Sequence, residues 1–485
     1  MLGADRRGKV WEPSQGFHYN CLVSVKRFQA GDAAEITIGA LDDLGAGLGE
    51  CSSAEETLHV HVAGALPGER ISARLGHLSP HARAAQREAW GELLSVLLPS
   101  ADRVAPLCPS QASCGGCALM SLAYPAQLGW KRQRVAAQLA RFPELATLAV
   151  DGCVASPRVA GYRNQAKYVY GRAHESQRLV LGAFAPRSHR LVDLAGCRVV
   201  EPVLEQVRQA LLDLLVRKGI APFDEHHRTA ALRYVVMRAT QAGEVMVTLV
   251  TARPDWQPGQ AIADELVAAC PAVVSVVLNL NPTTGNRIFG DEERLLAGRA
   301  FVEDRIGEGL VRLVSRSFFQ ANRQVASHIH RDLVAAAPAQ VARAVDVYAG
   351  AGPIALALAP LADDVVAIEE NAAATAAATA CFAERGGPAG RVRVVTGDAS
   401  RCLAAVTAAD LVVLNPPRKG CAAPVLAAVA RLRPRLCAYV SCAPATLARD
   451  LAALVAAGAR IRRITPYDMM PHTPHVETLA LLTWD

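Results

Sequence analysis

Cys442 closes the apolar run YVSC at 439–442, and Pro444 opens a helix-like stretch directly after it. A thiol just ahead of a helix start gains from the positive end of the helix, which favours the thiolate. Glu477 stands at the head of the last apolar run, 478–483. A thiolate paired with a carboxylate can do covalent catalysis: sulfur adds to an electron-poor carbon, the base removes a proton, and elimination returns the thiol. The spacing also fits a buried structural cysteine, the usual fate of a lone thiol. A second group, Cys108, Cys114 and Cys117, has the close spacing of zinc or iron–sulfur ligands. His472 and His475 form H-x-x-H without a third ligand in register, so this segment is expected to shape a pocket rather than bind metal.

These residues need elements that carry them to one place. Beyond residue 311, apolar runs at 344–348, 365–369, 392–396, 410–414, 436–441, 461–466 and 478–483 alternate with Ala-rich helical stretches. The first six are joined by helix-length connections, as parallel βαβ units require, and such sheets bind ligands beyond the carboxyl ends of their strands. The first run leads into DVYAGAG at 346–352, where Gly350 and Gly352 permit close backbone approach to a ligand. The second ends at Glu369, placed for ribose hydroxyls, and the third at Gly397-Asp398, placed for an adenine amine. The fourth ends at Asn415-Pro-Pro-Arg418 and the fifth at Ser441-Cys442. The seventh run follows the sixth too closely for a helical crossover. It must pair antiparallel, which brings Glu477 to the same edge. A Gly-x-Gly loop with a downstream acid also fits a nicotinamide-binding fold, with Ala355 as a third small residue. The N-P-P-R segment, the lack of a second nucleotide-binding half and the antiparallel last strand favour a methyltransferase sheet that binds S-adenosylmethionine.

A chain of 485 residues is too long for one core. At 51% hydrophobic and 20% charged it is globular, and a net charge of +6 permits a polyanionic partner. The first thirty residues hold no apolar targeting core, and no stretch of about eighteen apolar residues occurs, so a cytoplasmic protein without a membrane span is expected. Thirteen cysteines, an odd number, argue against a disulfide framework. The expected organisation is a tail over 1–32, then a small β-barrel of OB type over 33–92, built on the alternating TLHVHVAG and a glycine-punctuated turn at 45–49. An α+β domain follows over 93–310, with helices near 124–141 and 201–217 and strands at 164–171, 179–184, 231–238, 244–250 and 273–279. The doubly wound α/β domain occupies 311–485.

The motifs SFFQAN (317–322), DVYAGAG (346–352), AIEEN (367–371), LNPPRKGC (414–421), YVSCAPATLARD (439–450) and HTPHVET (472–478) resemble those of the RNA uridine-5 methyltransferases. The resemblance implies that Cys442 is the nucleophile and Glu477 the base. It implies that Gln320, Tyr348 and Glu369 contact S-adenosylmethionine, with Asn415 at the site of another contact. Carbon 5 of uracil is a poor nucleophile; thiolate addition at carbon 6 makes it enolate-like and able to attack a sulfonium methyl group. The N-terminal unit, with GALPGER at 64–70, looks like a TRAM domain, an OB-like RNA-binding module. Cys108, Cys114 and Cys117 match the family's iron–sulfur motif, and SHRLVDLAGC at 188–197 adds Cys197 as the fourth ligand of a [4Fe–4S] cluster. Spacing alone leaves a structural zinc open.

The resemblance implies an RNA substrate, with 23S rRNA favoured by the TRAM-plus-cluster arrangement and tRNA as the alternative, acted on by a monomer. Arg70, Arg74, Arg83 and Arg87 are candidates for backbone contact in the barrel, although Glu69, Glu88 and Glu92 interleave with them. Three positions depart from the family pattern: Asn415 where Asp is usual, Pro353 where a polar contact is common, and Ala443 where Asn is common. A weakened, RNA-binding paralogue and an iron–sulfur oxidoreductase are the rival classes.

Overall fold

The computed structural model describes residues 27–484 except 84, 85, 187, 225, 226, 228, 284 and 286, and side chains at 81–86 are likewise outside it. Most of the expected tail, 1–26, lies outside the described residues. Among the described residues the chain forms two compact units, residues 27–42 with 47–99, and residues 43–46 with 100–484.

The first unit is a closed barrel in the order β1-β2-β3-β5-β4. Its strands are β1 (Ala33–Leu41), β2 (Gly47–Ser52), β3 (Thr57–Val62), β4 (Arg70–Arg83) and β5 (Gln86–Leu98). Period-two alternation sends Leu58, Val60 and Val62 of β3 inward against Ile36, Ile38, Ile71 and Leu75. Gly49 lets β2 close on β1, since a Cβ there would stand 2.4 Å from the Thr37 carbonyl oxygen. The expected boundary at 92 falls short: β5 keeps pairing with β4 as far as Leu98 opposite Arg70.

The second unit opens with a short helix α1 (Gln111–Cys114) and α2 (Tyr124–Leu139). A seven-stranded sheet follows, ordered β12-β11-β10-β9-β6-β7-β8. It comprises β6 (Gln165–Arg172), β7 (Leu179–Phe184), β8 (Leu191–Asp193), β9 (Leu232–Ala239), β10 (Val245–Thr251), β11 (Val273–Leu280) and β12 (Glu292–Gly298). Helices α3 (Pro202–Arg217) and α4 (Pro258–Ala269) share one core with it, through Leu211, Leu215, Ile262 and Leu266. A hairpin, β13 (Val302–Ile306) and β14 (Gly309–Leu313), and α5 (Arg323–Ala336) lead into the second sheet.

That sheet runs β17-β16-β15-β18-β19-β21-β20. Its elements are β15 (Val341–Val347), α6 (Pro353–Leu358), β16 (Ala362–Glu369), α7 (Ala372–Arg385), β17 (Val392–Thr396), α8 (Ala399–Ala404), β18 (Leu411–Leu414), α9 (Ala423–Leu432), β19 (Leu436–Ser441), α10 (Pro444–Ala456), β20 (Arg460–Tyr467) and β21 (Glu477–Thr483). The β15–β19 strands pair parallel, and β21 pairs antiparallel with both β19 and β20. All seven expected strands are present, the last reversed as its short connection requires. Buried Val, Ala, Leu and Ile fill both faces, as helices on each side of a parallel sheet demand.

Two boundaries inside this unit differ from the sequence expectation. Val302, Ile306, Val311 and Leu313 of the β13–β14 hairpin sit in the core of the second sheet, so the α/β layer begins before 311. Val135 and Leu139 of α2, with Leu145 and Val150 after it, cover the other face of that same sheet. The segment 124–150 therefore packs with the α/β domain rather than with the α+β sheet that follows it in sequence.

Candidate functional site

The carboxyl ends of β15, β18 and β19 meet at a pocket whose lining includes Phe318, Gln320, Tyr348, Gly350, Pro353 and Asn415. The DVYAGAG loop is shaped by its backbone and by two acids. Tyr348 and Gly350 both take positive φ, 67° and 60°. For tyrosine that left-handed conformation costs on the order of 1 kcal/mol and persists only where the surroundings enforce it. Glu369 enforces it in part: one carboxylate oxygen accepts the Gly350 N–H at 2.9 Å and the other the Asn371 N–H at 2.9 Å. Gly352, at φ 78°, has no room for a side chain, since a Cβ would meet the Phe382 ring at 2.7 Å. Asp346 is fully buried beneath the loop and accepts the Ala355 N–H at 3.0 Å, while its other oxygen has no partner. Burial raises its carboxyl to about 7.

Gln320 is fixed by the α+β sheet: the Asn164 side chain donates to the Gln320 carbonyl at 2.9 Å, and the Asn164 N–H donates to the next carbonyl, that of Ala321, at 3.0 Å. Asn415 is tied back through its N–H to the Val347 carbonyl at 3.2 Å. Asp398 reaches the same strand edge, but its carboxylate caps α8, accepting from the N–H groups of Ser400 and Arg401 at 3.0 and 3.2 Å. Thus Gln320, Tyr348, Gly350 and Asn415 line one pocket, Glu369 and Gly352 shape its loop, and Asp398 lies outside the lining.

Cys442 and Glu477 occupy adjacent strand ends. Ser441 pairs with Thr478, so the next residue of β19's chain and the previous one of β21's come together. Glu477 is buried, and burial raises its carboxyl to about 8, opposed by Arg418. The Cys442 thiol is pushed up by burial and by the Glu477 carboxylate, and the Arg418 guanidinium pulls it down. The helix start at Pro444 does not make this thiol acidic on balance, contrary to the expectation from its position. In the sequence Arg418 stands out only as the last residue of N-P-P-R; in the fold it is the cation that acts on both groups.

Behind the pocket, Asp450 anchors the 415–421 loop that carries Asn415 and Arg418. Its carboxylate accepts from the Tyr439 hydroxyl at 2.6 Å, the Cys421 N–H at 2.8 Å and the Arg449 Nε at 2.8 Å. The loop ahead of Glu477 is anchored from the front. Lys131 and Asp468 form an ion pair with both side chains fully buried, and Lys131 also donates to the Met470 carbonyl at 3.0 Å. Tyr162 donates to the Pro471 carbonyl at 3.0 Å, and the His472 N–H donates to Gln127 at 2.9 Å. His472 has φ 68°, and burial and Arg418 drive His475 down to about 4, so His475 is a neutral imidazole beside Arg418.

Cys108, Cys114, Cys117 and Cys197 line a second pocket. Every described cysteine is a free thiol. Burial, and then the neighbouring thiols, push Cys117 up to about 12 and raise Cys114. Among the described residues no three His, Cys, Asp or Glu side chains close around a single metal ion. This also holds for His472 and His475. In the barrel, Arg87 and Arg74 are paired with Glu56 and Glu92, Arg70 is exposed, and the Arg83 side chain lies outside the described residues. No helix is long and apolar enough to cross a membrane among the described residues.

Residues 403–484 match the family model of tRNA (uracil-5-)-methyltransferases, and residues 320–432 that of the methyltransferase small domain. An uncharacterized RNA methyltransferase of Geobacter sulfurreducens is 36% identical, over 93% of this chain and 90% of that protein. One of Thermosynechococcus vestitus is 36% identical, over 94% of this chain and 99% of the relative. Among solved structures, the tRNA (uracil-54, C5)-methyltransferase of Pyrococcus abyssi in complex with S-adenosyl-L-homocysteine superposes with a TM-score of 0.72 at 24% identity, covering 93% of this chain and 100% of that one. That likeness is one of fold.

Proposed function

Since the chain belongs to the RNA methyltransferase family of these relatives, we propose that it methylates carbon 5 of a uridine in RNA, with Cys442 as nucleophile and Glu477 as base. The observation that carries the reading is the pairing of these two groups at neighbouring strand ends, with Arg418 acting on both. S-adenosylmethionine, when bound, supplies the electrophilic methyl group. The residues of the first pocket suit it: a close-approach glycine loop, the amide of Asn415 and an unpartnered oxygen of Asp346 beneath the loop. Gln320, Tyr348, Gly350, Gly352, Glu369 and Asn415 form that site, with Asp398 at its margin.

In the reaction the Cys442 thiolate bonds to carbon 6 of the uracil, and the electron pair displaced to carbon 5 takes up the methyl group. Glu477 removes the carbon-5 proton, the sulfur–carbon bond breaks, and the thiolate is restored. Arg418 favours the thiolate, against the burial and the Glu477 carboxylate that disfavour it. The target base must leave its stack to reach Cys442, at a cost of a few kcal/mol.

Cys108, Cys114, Cys117 and Cys197 would hold a [4Fe–4S] cluster. The four cysteines line one pocket, and four thiolates suit such a cluster; a structural zinc is the alternative. Such a cluster would serve structurally, by tying two separate stretches of chain, 108–117 and that around Cys197, together. The barrel, read as a TRAM domain, supplies RNA contact. Its pairing with the cluster site favours 23S rRNA; the match of 403–484 to the tRNA (uracil-5-)-methyltransferase model favours tRNA as the second reading.

Nucleoside mass spectrometry decides between them, with anaerobically purified protein, S-adenosylmethionine and either unmodified 23S rRNA or unmodified tRNA. New 5-methyluridine in one pool is the expected result and names the substrate class. None in either pool, with iron bound, refutes the proposed activity.

A further inference from the structure

Arg158, Arg305, Arg323 and Arg331 converge on a cavity of about 590 Å³, on the far side of α5 from the pocket of Gln320 and Tyr348. One helix serves both: Ala326, Ile329 and His330 line the first pocket, and Ser327, His328 and Arg331 the cavity. The amino end of α3 and the turn of the β13–β14 hairpin complete its wall.

Glu201 is the single carboxylate among the lining residues, and it is already engaged. It accepts from Arg323 at 2.6 and 3.0 Å, and Arg323 reaches Asp304 at 3.4 Å as well. The other three guanidinium groups are weakly held. Arg305 gives a 3.4 Å bond to the Glu308 carbonyl, and Arg331 approaches its chain neighbour Asp332 at 3.5 Å with its side chain 65% exposed. Arg158 acts on Glu201 only through space. His328 adds a buried Nδ1 without a partner.

The free charge of the cavity has one sign. Its one phenyl-type ring, that of Tyr162, is buried and spends its hydroxyl on Pro471. It offers charge without a stacking platform, which suits phosphates rather than bases. We infer that this cavity holds a run of the RNA sugar–phosphate backbone, with Arg158, Arg305 and Arg331 against its phosphates. The inference rests on the RNA methyltransferase reading and adds an anchoring site separated by α5 from the methyl-donor pocket.

The test uses the full chain with Arg305→Gln and Arg331→Gln combined. Affinity for labelled oligouridine and for an unmodified tRNA transcript is measured across salt concentrations, and S-adenosylhomocysteine binding is followed by calorimetry. At about 0.7 per phosphate contact on a single strand, the slope of log affinity against log salt should fall by about 1.4. Calorimetric binding should match wild type. A control pair, Arg217→Gln with Arg253→Gln, removes the same charge elsewhere and should leave the slope alone. A wild-type slope in the Arg305/Arg331 variant, or an equal fall in the control, overturns the cavity assignment while leaving the RNA methyltransferase reading intact. Wild-type protein that binds neither RNA overturns both.

Discussion

Glu477→Gln separates the two consequences of burying an ionisable base. The folded protein raises this carboxyl from 4.5 to about 8, chiefly through burial. Below the unfolded value the group is protonated in both states and costs nothing. Between the two values the unfolded chain ionises and the folded one does not, so stability falls as pH rises; above about 8 the full penalty is in place. At about 1.4 kcal/mol per pH unit the penalty approaches 5 kcal/mol, with about 3 kcal/mol present at pH 7. Glutamine keeps the shape and cannot ionise. The variant should therefore be more stable than wild type at pH 8 and little different near pH 4. At roughly 2–4 °C per kcal/mol for a domain of this size, a gap of about 5 kcal/mol corresponds to about 10–20 °C in the melting of the α/β domain. Differential scanning calorimetry across pH measures it directly. The same variant, given RNA and labelled S-adenosylmethionine, should accumulate a methylated protein–RNA adduct, because proton removal precedes release. A stability gap that does not change between about pH 5 and about pH 9 would refute the burial argument; a denaturing gel without a shifted band would refute the base.

Cys442→Ala should abolish methylation while RNA affinity, read by filter binding, stays within about twofold; turnover near wild type would sink the nucleophile. For wild type, kcat/KM should climb with pH through about 8, because only about one Glu477 in ten is ionised at pH 7. Arg418→Gln should move that limb to higher pH, since Arg418 lowers both Cys442 and Glu477, and should cut kcat/KM at pH 7 by about tenfold if the limb moves from pH 8 to about pH 9; an unmoved limb would refute its part. Asn415→Asp should tighten S-adenosylmethionine binding by restoring a charge opposite the donor's ammonium, and calorimetry showing equal or weaker binding would count against Asn415 in that contact. Lys131→Met should destabilise by about 3–5 kcal/mol in urea unfolding, leaving Asp468 buried and unpaired, whereas adding Asp468→Leu should recover most of the loss.

The α/β sheet is legible because its strands are short uninterrupted apolar runs and because the gap before 478 is too short for a crossover. That single length argument reverses β21 and delivers Glu477 to Cys442. The hairpin 302–313 is not legible, because β13 and β14 are five residues each and carry charged residues between buried ones, which reads as loop until a core is there to receive them. The packing of α2 is hidden for a different reason: a helix shows which face is apolar, and nothing in its own residues says which sheet that face will meet. Lys131 is the local clue, a cation in the stripe that α2 buries, and it points to a buried acid only once Asp468 is seen beside it. The direction in which the Cys442 thiol moves also lies beyond the sequence, since the helix start is local and visible while burial and the Glu477 carboxylate are products of the assembled fold.

Glu477 is the first residue of a strand, so its position depends on the loop that feeds it. Residues 468–476 contain no regular structure, and His472 holds a left-handed backbone. From within, Thr473 ties this loop, its hydroxyl donating to the Met470 carbonyl at 2.8 Å and accepting the His475 N–H at 3.3 Å. Its other fixed points come from the chain between Leu119 and Tyr162: Lys131 on Asp468 and Met470, Gln127 on His472, Tyr162 on Pro471, and the Leu119 N–H on the His472 carbonyl. Tyr162 belongs in turn to the small core of Met120 and Val199 that Cys108, Cys117 and Cys197 pack against. The cysteine pocket and the base are therefore joined through a few contiguous contacts. A group bound by those four thiols would stiffen the chain that holds Glu477, without any part in the chemistry. That coupling would give the four-cysteine pocket a role in a protein whose proposed reaction uses only a thiol, a carboxylate and an arginine.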